Sequence, residues 1–240
     1  MSRMQGHPYD PAGSASLPIE PLHSASGVLA VCKPAGLATQ APPGCDSLER
    51  RVREEGRLLD TGGYLGLPHR LDRPVGGIVL LATTPRAARK LSRQFERREI
   101  VKHYRGLLEP AAGASRPRPG ELWRDWLAKV PDEPRARVTT VDDPAAREAV
   151  TRVRVVTEAG SRLDVLLEPT TGRMHQLRIQ AASRGLPIAG DRLYGAAGRW
   201  EQPADPRAAT IGLAATAIEF TDPDTLERVL IRLEPPWAAG

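Results

Sequence analysis

The chain has 240 residues, 40% hydrophobic and 26% charged, which suits one large domain or two small ones with a packed core and excludes global disorder. A formal charge of +5 and a pI of about 9.6 point to a polyanionic partner, most often nucleic acid. Only four basic residues are lysine (Lys33, Lys90, Lys102, Lys129), so compositional bias explains part of the charge, although arginine also suits bidentate phosphate contacts.

The first 24 residues are rich in Pro, Ser and Gly, show no periodicity and read as a loose tail before a domain over 25–240. They hold no apolar core of a secretory signal, and no stretch of the chain approaches 18 apolar residues. Val28-Leu29-Ala30-Val31-Cys32 predicts a strand that ends in a turn at Lys33-Pro34-Ala35-Gly36. Residues 46–59 predict a helix capped by Asp46 or Ser47, with Leu48, Val52 and Leu58 inward. The apolar run Ile78–Thr83 predicts a buried strand. Thr84-Pro85 then gives an N-cap and a first-turn proline for a helix over about 85–98. Ala88, Leu91 and Phe95 form its apolar stripe, while Arg86, Arg89, Lys90, Arg93, Arg97 and Arg98 occupy its other faces. A solvated surface accounts for those cations as well as RNA contact does.

Val101–Leu108 alternates as a strand, 110–120 is a Pro/Gly/Ser/Arg loop, and 121–150 shows turns and short elements without a dominant period. Val153–Thr157 and Leu163–Glu168 predict a hairpin across Glu158-Ala159-Gly160-Ser161. A helix over 174–184 stops at Gly185, and 211–220 and 229–233 close the chain as strands. Hairpins outnumber βαβ units. The expected fold is therefore α+β, a mixed and mainly antiparallel sheet with packed helices.

Phosphate-loop, dinucleotide, HExxH and CxxC signatures are absent, and no metal-ligand cluster is legible in the sequence. Cys32 and Cys45 fit no zinc or redox spacing and are expected to be reduced thiols of a cytoplasmic protein. The chemistry concentrates in His69-Arg70-Leu71-Asp72-Arg73-Pro74-Val75-Gly76-Gly77, where a carboxylate lies between two arginines at the mouth of a buried strand. Neighbouring cations favour its ionised form, so Asp72 is either an ion-pair anchor or a nucleophile. A second cluster is Thr171-Gly172-Arg173-Met174-His175-Gln176-Leu177-Arg178. Arg178, between Leu177 and Ile179, is expected to be partly buried and to need an anion, with Asp72 a candidate. His175 and Gln176 lie near a helix start, where phosphate is favoured, or they merely cap the helix. Lys102-His103-Tyr104 and Lys33-Pro34-Ala35-Gly36-Leu37 are weaker elements: strand packing and a solvated turn explain them equally.

In this order, together with Gly185-Leu186-Pro187-Ile188-Ala189-Gly190-Asp191-Arg192-Leu193-Tyr194-Gly195, these segments resemble the RluA-type pseudouridine synthases over roughly 26–236. The resemblance implies a stand-alone catalytic domain without the S4-like RNA-binding domain of many relatives. It implies isomerisation of uridine in ribosomal or transfer RNA by base flipping, by a protein that is a monomer and uses no cofactor, metal or membrane. Asp72 is then the catalytic aspartate, Tyr104 stacks on the uracil and assists loss of the C5 proton, and Arg178 pairs with Asp72. Arg70 fills the gap left by the flipped base. RNA contacts are expected from His69, Arg73, Lys33, Lys102, Arg173, His175 and Gln176. The alternatives are an inactive RNA-binding or assembly factor on the same fold, and an unrelated basic metabolic enzyme. Two departures from the family pattern stand out. Val75-Gly76 replaces the usual Thr-Ser, and Met174 replaces a usual Thr or Ser.

Overall fold

The computed structural model describes residues 19, 21–56, 58–59, 63–198, 200, 209–235 and 237. They form two compact units, one running to Val101 and resuming at Ala214, the other spanning Lys102 to Gln202 with Thr210–Leu213.

In the first unit, β1 (Pro21–Ala25), β2 (Val28–Lys33) and β3 (Gly76–Ala82) pair antiparallel in that order. The strand β9 (Leu213–Thr221) lies parallel to β3, and β10 (Arg228–Arg232) pairs antiparallel with β9. Residues 21–24, which composition assigns to the tail, are therefore part of a sheet: Ser24 faces Leu29 and Ala25 faces Val28. The polar composition of an exposed edge strand hides this pairing. The rest of the expected tail lies outside the described residues, apart from buried Ile19.

Helix α1 (Leu48–Glu55) starts where Ser47 Oγ accepts from Arg50 N, so Ser47 rather than Asp46 is the cap. Helix α2 (Pro85–Glu96) starts at Thr84, whose hydroxyl accepts from Ala87 N. Val28, Ala30, Ile78, Leu80 and Ala82 build the core with Ala87 and Leu91 of α2, and Ala88 and Phe95 pack at its edge. Alternate residues of β3 on both faces are buried, as its unbroken apolar run predicts.

The second unit has the strand order β4 (Val101–Leu108), β8 (Arg162–Pro169), β7 (Arg147–Ala159), β5 (Leu122–Lys129), β6 (Ala136–Thr139), antiparallel throughout. Two of these strands, β5 and β6, lie in the segment without a dominant period. Trp123 and Leu127 of β5 are buried, but Trp126 is only half-buried and charged residues separate them, which obscures the alternation. Helix α3 (Gln176–Ala182) follows β8 and ends before Gly185, which adopts φ 69° while Leu186 N reaches back to Ala181 O. The architecture is the expected mixed, mainly antiparallel α+β fold. No helix among the described residues is long and apolar enough to cross a membrane.

Gly77, five residues after Asp72, cannot carry a side chain. Its φ is 115°, and a Cβ there would stand 2.2 Å from the Ala215 carbonyl oxygen, where β3 and β9 pair. Gly77→Ala is expected to destabilise the protein by about 3 kcal/mol or more, seen as a lower urea midpoint at unchanged slope. A wild-type midpoint would contradict this reading of the strand crossing.

Candidate active site

The Asp72 segment is held by its backbone neighbours. Thr39 Oγ1 donates to Leu71 O at 2.9 Å and accepts from Leu71 N at 3.1 Å, so one buried hydroxyl fixes the residue before Asp72. On the other side, Arg73 O accepts from Gly36 N (2.8 Å), and Asp72 O accepts from Val75 N (3.1 Å). Asp72 is left half-buried between the exposed Arg70 and Arg73. Such a carboxylate is fixed in place yet open to solvent on one side, as a nucleophile must be.

Lys33 is the hub of this arrangement. It is fully buried at the end of β2, and its Nζ donates to Leu37 O (2.6 Å), Pro34 O (3.0 Å) and Arg73 O (3.3 Å). It thereby ties the Pro34–Leu37 turn to the segment carrying Asp72. The expectation that Lys33 touches RNA is corrected: a side chain with no exposed surface cannot reach a phosphate. Burial pulls its pKa from 10.5 down to about 7, against the charge of Asp72, which raises it.

A stability consequence follows with a definite sign. Between about pH 7 and 10.5 the folded state binds fewer protons at Lys33 than the unfolded chain does, so its contribution to stability rises with pH. Wild type should gain up to about 1.4 kcal/mol per pH unit relative to Lys33→Met between roughly pH 7 and 8.5. Urea midpoints of both proteins across that range test it, and parallel curves would rule it out.

His69 also serves the fold. Its Nε2 accepts from Leu80 N at 2.8 Å, and its ring stacks on Phe95 of α2 with centroids 4.6 Å apart. That anchors the segment entering Asp72 and explains the histidine without RNA.

In the second unit, α3 buries Arg178. Its Nε and Nη2 donate to Asp191 Oδ2 (2.6 Å) and Oδ1 (2.8 Å), a bidentate pair with side chains 6% and 2% exposed. The guanidinium lies 5.1 Å from the centre of the Tyr194 ring. Tyr194 OH accepts from Ala136 N (2.9 Å) and lies 2.9 Å from His175 Nδ1. The need of Arg178 for an anion is thus met within its own unit by Asp191, thirteen residues on. Asp191 and Tyr194 lie in the Gly185–Gly195 motif, whose sequence alone assigns them no role. The signal available is an arginine flanked by Leu177 and Ile179 and an aspartate in the turn at 186–191.

Gln176 is corrected as an RNA contact. It is buried, its Oε1 accepts from Thr171 Oγ1 (2.7 Å) and Arg173 N (3.0 Å), and its Nε2 donates to Thr151 Oγ1 (2.9 Å) and Val150 O (3.1 Å). Its amide is spent inside the protein. His175, at φ 52°, caps α3 by backbone geometry and binds Tyr194, and Arg173 Nε donates to Glu148 O at 2.9 Å. Both remain half-exposed.

Tyr104 sits in β4 opposite Leu167 of β8, half-buried. The two-residue period of a strand puts it on one face with Lys102, and His103 and Arg105 on the other. Arg105 pairs with Asp164 at 2.7 and 2.5 Å, which ties that far face down. Lys102 Nζ lies 3.5 Å from Thr171 O, and burial lowers its pKa from 10.5 to about 8. Among the described residues no group of three or more His, Cys, Asp or Glu side chains could hold a metal.

Known proteins place this arrangement in context. A family model for RNA pseudouridylate synthase matches residues 27–183, a span that includes Asp72, Tyr104 and Arg178. The dual-specificity RNA pseudouridine synthase RluA of Haemophilus ducreyi is 29% identical over 227 residues, covering 91% of this chain and 94% of that protein. An uncharacterized RNA pseudouridine synthase of Zymomonas mobilis is 34% identical, covering 68% and 72%. Among solved structures, human RNA pseudouridylate synthase domain containing 1 shares the fold, with a TM-score of 0.70 over 95% of this chain and 87% of the human one at 23% identity. With a family match over more than half its length and relatives above 30% identity, this chain belongs to the RNA pseudouridylate synthase family.

Proposed function

We propose that the protein isomerises specific uridines of ribosomal or transfer RNA to pseudouridine, with Asp72 as the catalytic aspartate. The observation that carries this is the Asp72 segment itself: a half-exposed carboxylate between two exposed arginines, its backbone clamped by Thr39 and Lys33. A merely structural ion pair needs neither the open side nor that degree of fixation. Arg70, which has no hydrogen-bond or ion-pair partner among the described residues, is then left to face RNA.

In this reading the target uridine leaves its stack, at a cost of a few kcal/mol that cationic and stacking contacts offset. Asp72 engages the ribose by attack at C1′ or through a glycal route, and the N1–C1′ bond breaks. The freed uracil rotates, C5 bonds to C1′, and the C5 proton is lost while N1 gains one. Atoms and electrons balance within the nucleotide, as an isomerisation requires. Tyr104 stacks on the uracil and assists removal of the C5 proton. Arg178, held in a bidentate pair by Asp191, serves the reaction as its buried cation. Arg70 occupies the gap in the RNA, and Arg73, Lys102, Arg173 and His175 supply phosphate contacts. The residues over 25–240 act as one catalytic domain, working as a monomer in the cytoplasm.

Tritium release from RNA carrying C5-tritiated uridine tests the activity. Mapping pseudouridines in total RNA with and without the gene identifies the position. Salt-sensitive binding without tritium release on any cellular RNA would instead support an inactive binding factor.

A further inference from the structure

The residues 85–98, comprising α2 and its C-terminal cap, carry six cations and a single acid, Glu96. The buried side of the helix holds Ala87, Leu91 and Gln94, so the cations share the remaining face. Some are engaged at home. Arg86 reaches Asp224 at 3.2 Å, Lys90 donates to Pro223 O, and Arg97 lies 3.9 Å from Glu99. Arg89, Arg93 and Arg98 are exposed and have no side-chain partner among the described residues.

Arginine-rich composition does not account for this, because α1 draws on the same composition with the opposite result. Its three arginines each meet a carboxylate: Arg50 with Glu54 (2.6 Å), Arg51 with Asp46 (2.5 Å) and Arg53 with Glu49 (3.1 Å). On α2 the like charges stand four residues apart instead, Arg89 over Arg93 over Arg97, about 6 Å per step along the axis. The helix dipole opposes Arg86 in the first turn and favours Arg93 and Arg97 at the C-terminal end, so the strain of this face lies in its like-charge spacing. Such a face is uncomfortable alone and is relieved by a row of anions.

We propose that the exposed face of α2, built from Arg89, Arg93 and Arg98 with Arg97, is a track for the phosphodiester backbone of the RNA, outside the target nucleotide. The proposal rests on the RNA-modifying reading above. The stacking of His69 on Phe95 anchors the segment leading to Arg70 and Asp72 on this same helix, so the track adjoins the proposed catalytic segment. A protein partner or a lipid surface would call for apolar or aromatic anchors among the charges. None of the exposed large hydrophobic side chains among the described residues lies on α2. A row of guanidinium groups without anchors matches sequence-independent phosphate binding.

Equilibrium binding to a fluorescent, unmodified transfer-RNA transcript, titrated with KCl, tests the track in the full chain. The double variant Arg89→Gln/Arg93→Gln keeps good helix formers at exposed positions. It should bind roughly ten-fold more weakly at low salt, with a log–log salt slope shallower by about 1.5 to 2. The control Arg50→Gln/Arg53→Gln removes the same charge from α1 and should leave affinity and slope at wild-type values. An unchanged slope in the α2 variant, or an equal loss in the α1 control, would overturn the track. A wild-type protein that shows the α2-dependent slope yet releases no tritium would uphold the track and defeat the catalytic reading instead.

Discussion

Replacing Asp72 with alanine or asparagine is expected to abolish tritium release from C5-tritiated uridine in RNA, a loss of at least about a thousand-fold, while RNA binding persists. The size follows from the role. If the carboxylate engages C1′, its removal deletes the step that opens the glycosidic bond, and no neighbour supplies a second nucleophile in the same segment. Persistence of binding follows from the geometry. The segment is held by backbone contacts of Leu71, Arg73 and Val75, so Arg70 and Arg73 should keep their places. Asparagine preserves shape and hydrogen-bonding capacity, so an inactive Asp72→Asn would assign the loss to charge and nucleophilicity. Full turnover by Asp72→Ala would remove the aspartate from the mechanism. Equal loss of turnover and of RNA affinity would move Asp72 from chemistry to binding.

Much of this was legible in the sequence because it is local. The caps Ser47 and Thr84, the apolar run of β3, the hairpin of β7 and β8 and the stop at Gly185 each depend on residues within a few positions of one another. Local patterns fail where pairing is distant. Strand β1 has the composition of a tail and becomes a strand only because β2 offers it an edge. Strands β5 and β6 depend on β7, and their half-buried positions blur the period that would reveal them.

The site divides in the same way. Asp72 between two arginines is visible in nine residues, which leave open whether it is an ion-pair anchor or a nucleophile. Whether a polar residue faces solvent or the interior is not visible, because motif residues of both kinds look alike in one dimension. Lys33 and Gln176 sit in the motifs that carry the resemblance, yet one donates to three carbonyls and the other spends its whole amide on neighbours. Motif positions are thus shared between exposed groups such as Arg70 and Arg73 and buried groups that hold the loops in place. Arg178 was readable as a buried cation, but the identity of Asp191 as an anion for it is a tertiary fact.

That pair carries the second large effect. Asp191→Ala leaves a bidentate guanidinium buried without the carboxylate that holds two of its nitrogens, and should lower stability by about 3–5 kcal/mol, read from the urea midpoint. Stability alone cannot distinguish a structural pair from one that also positions Arg178 for catalysis, so the double replacement matters. Arg178→Met with Asp191→Leu exchanges the buried ions for apolar groups, an exchange that is often neutral for stability. The double variant should recover most of the lost midpoint, bind RNA with affinity near that of wild type, and still fail to release tritium. Arg178→Met alone should likewise lose turnover far more than RNA affinity. Recovery of turnover along with stability in the double variant would reduce the pair to scaffolding. Loss that persists in a stably folded protein would make Arg178 part of the chemistry and Asp191 the residue that positions it.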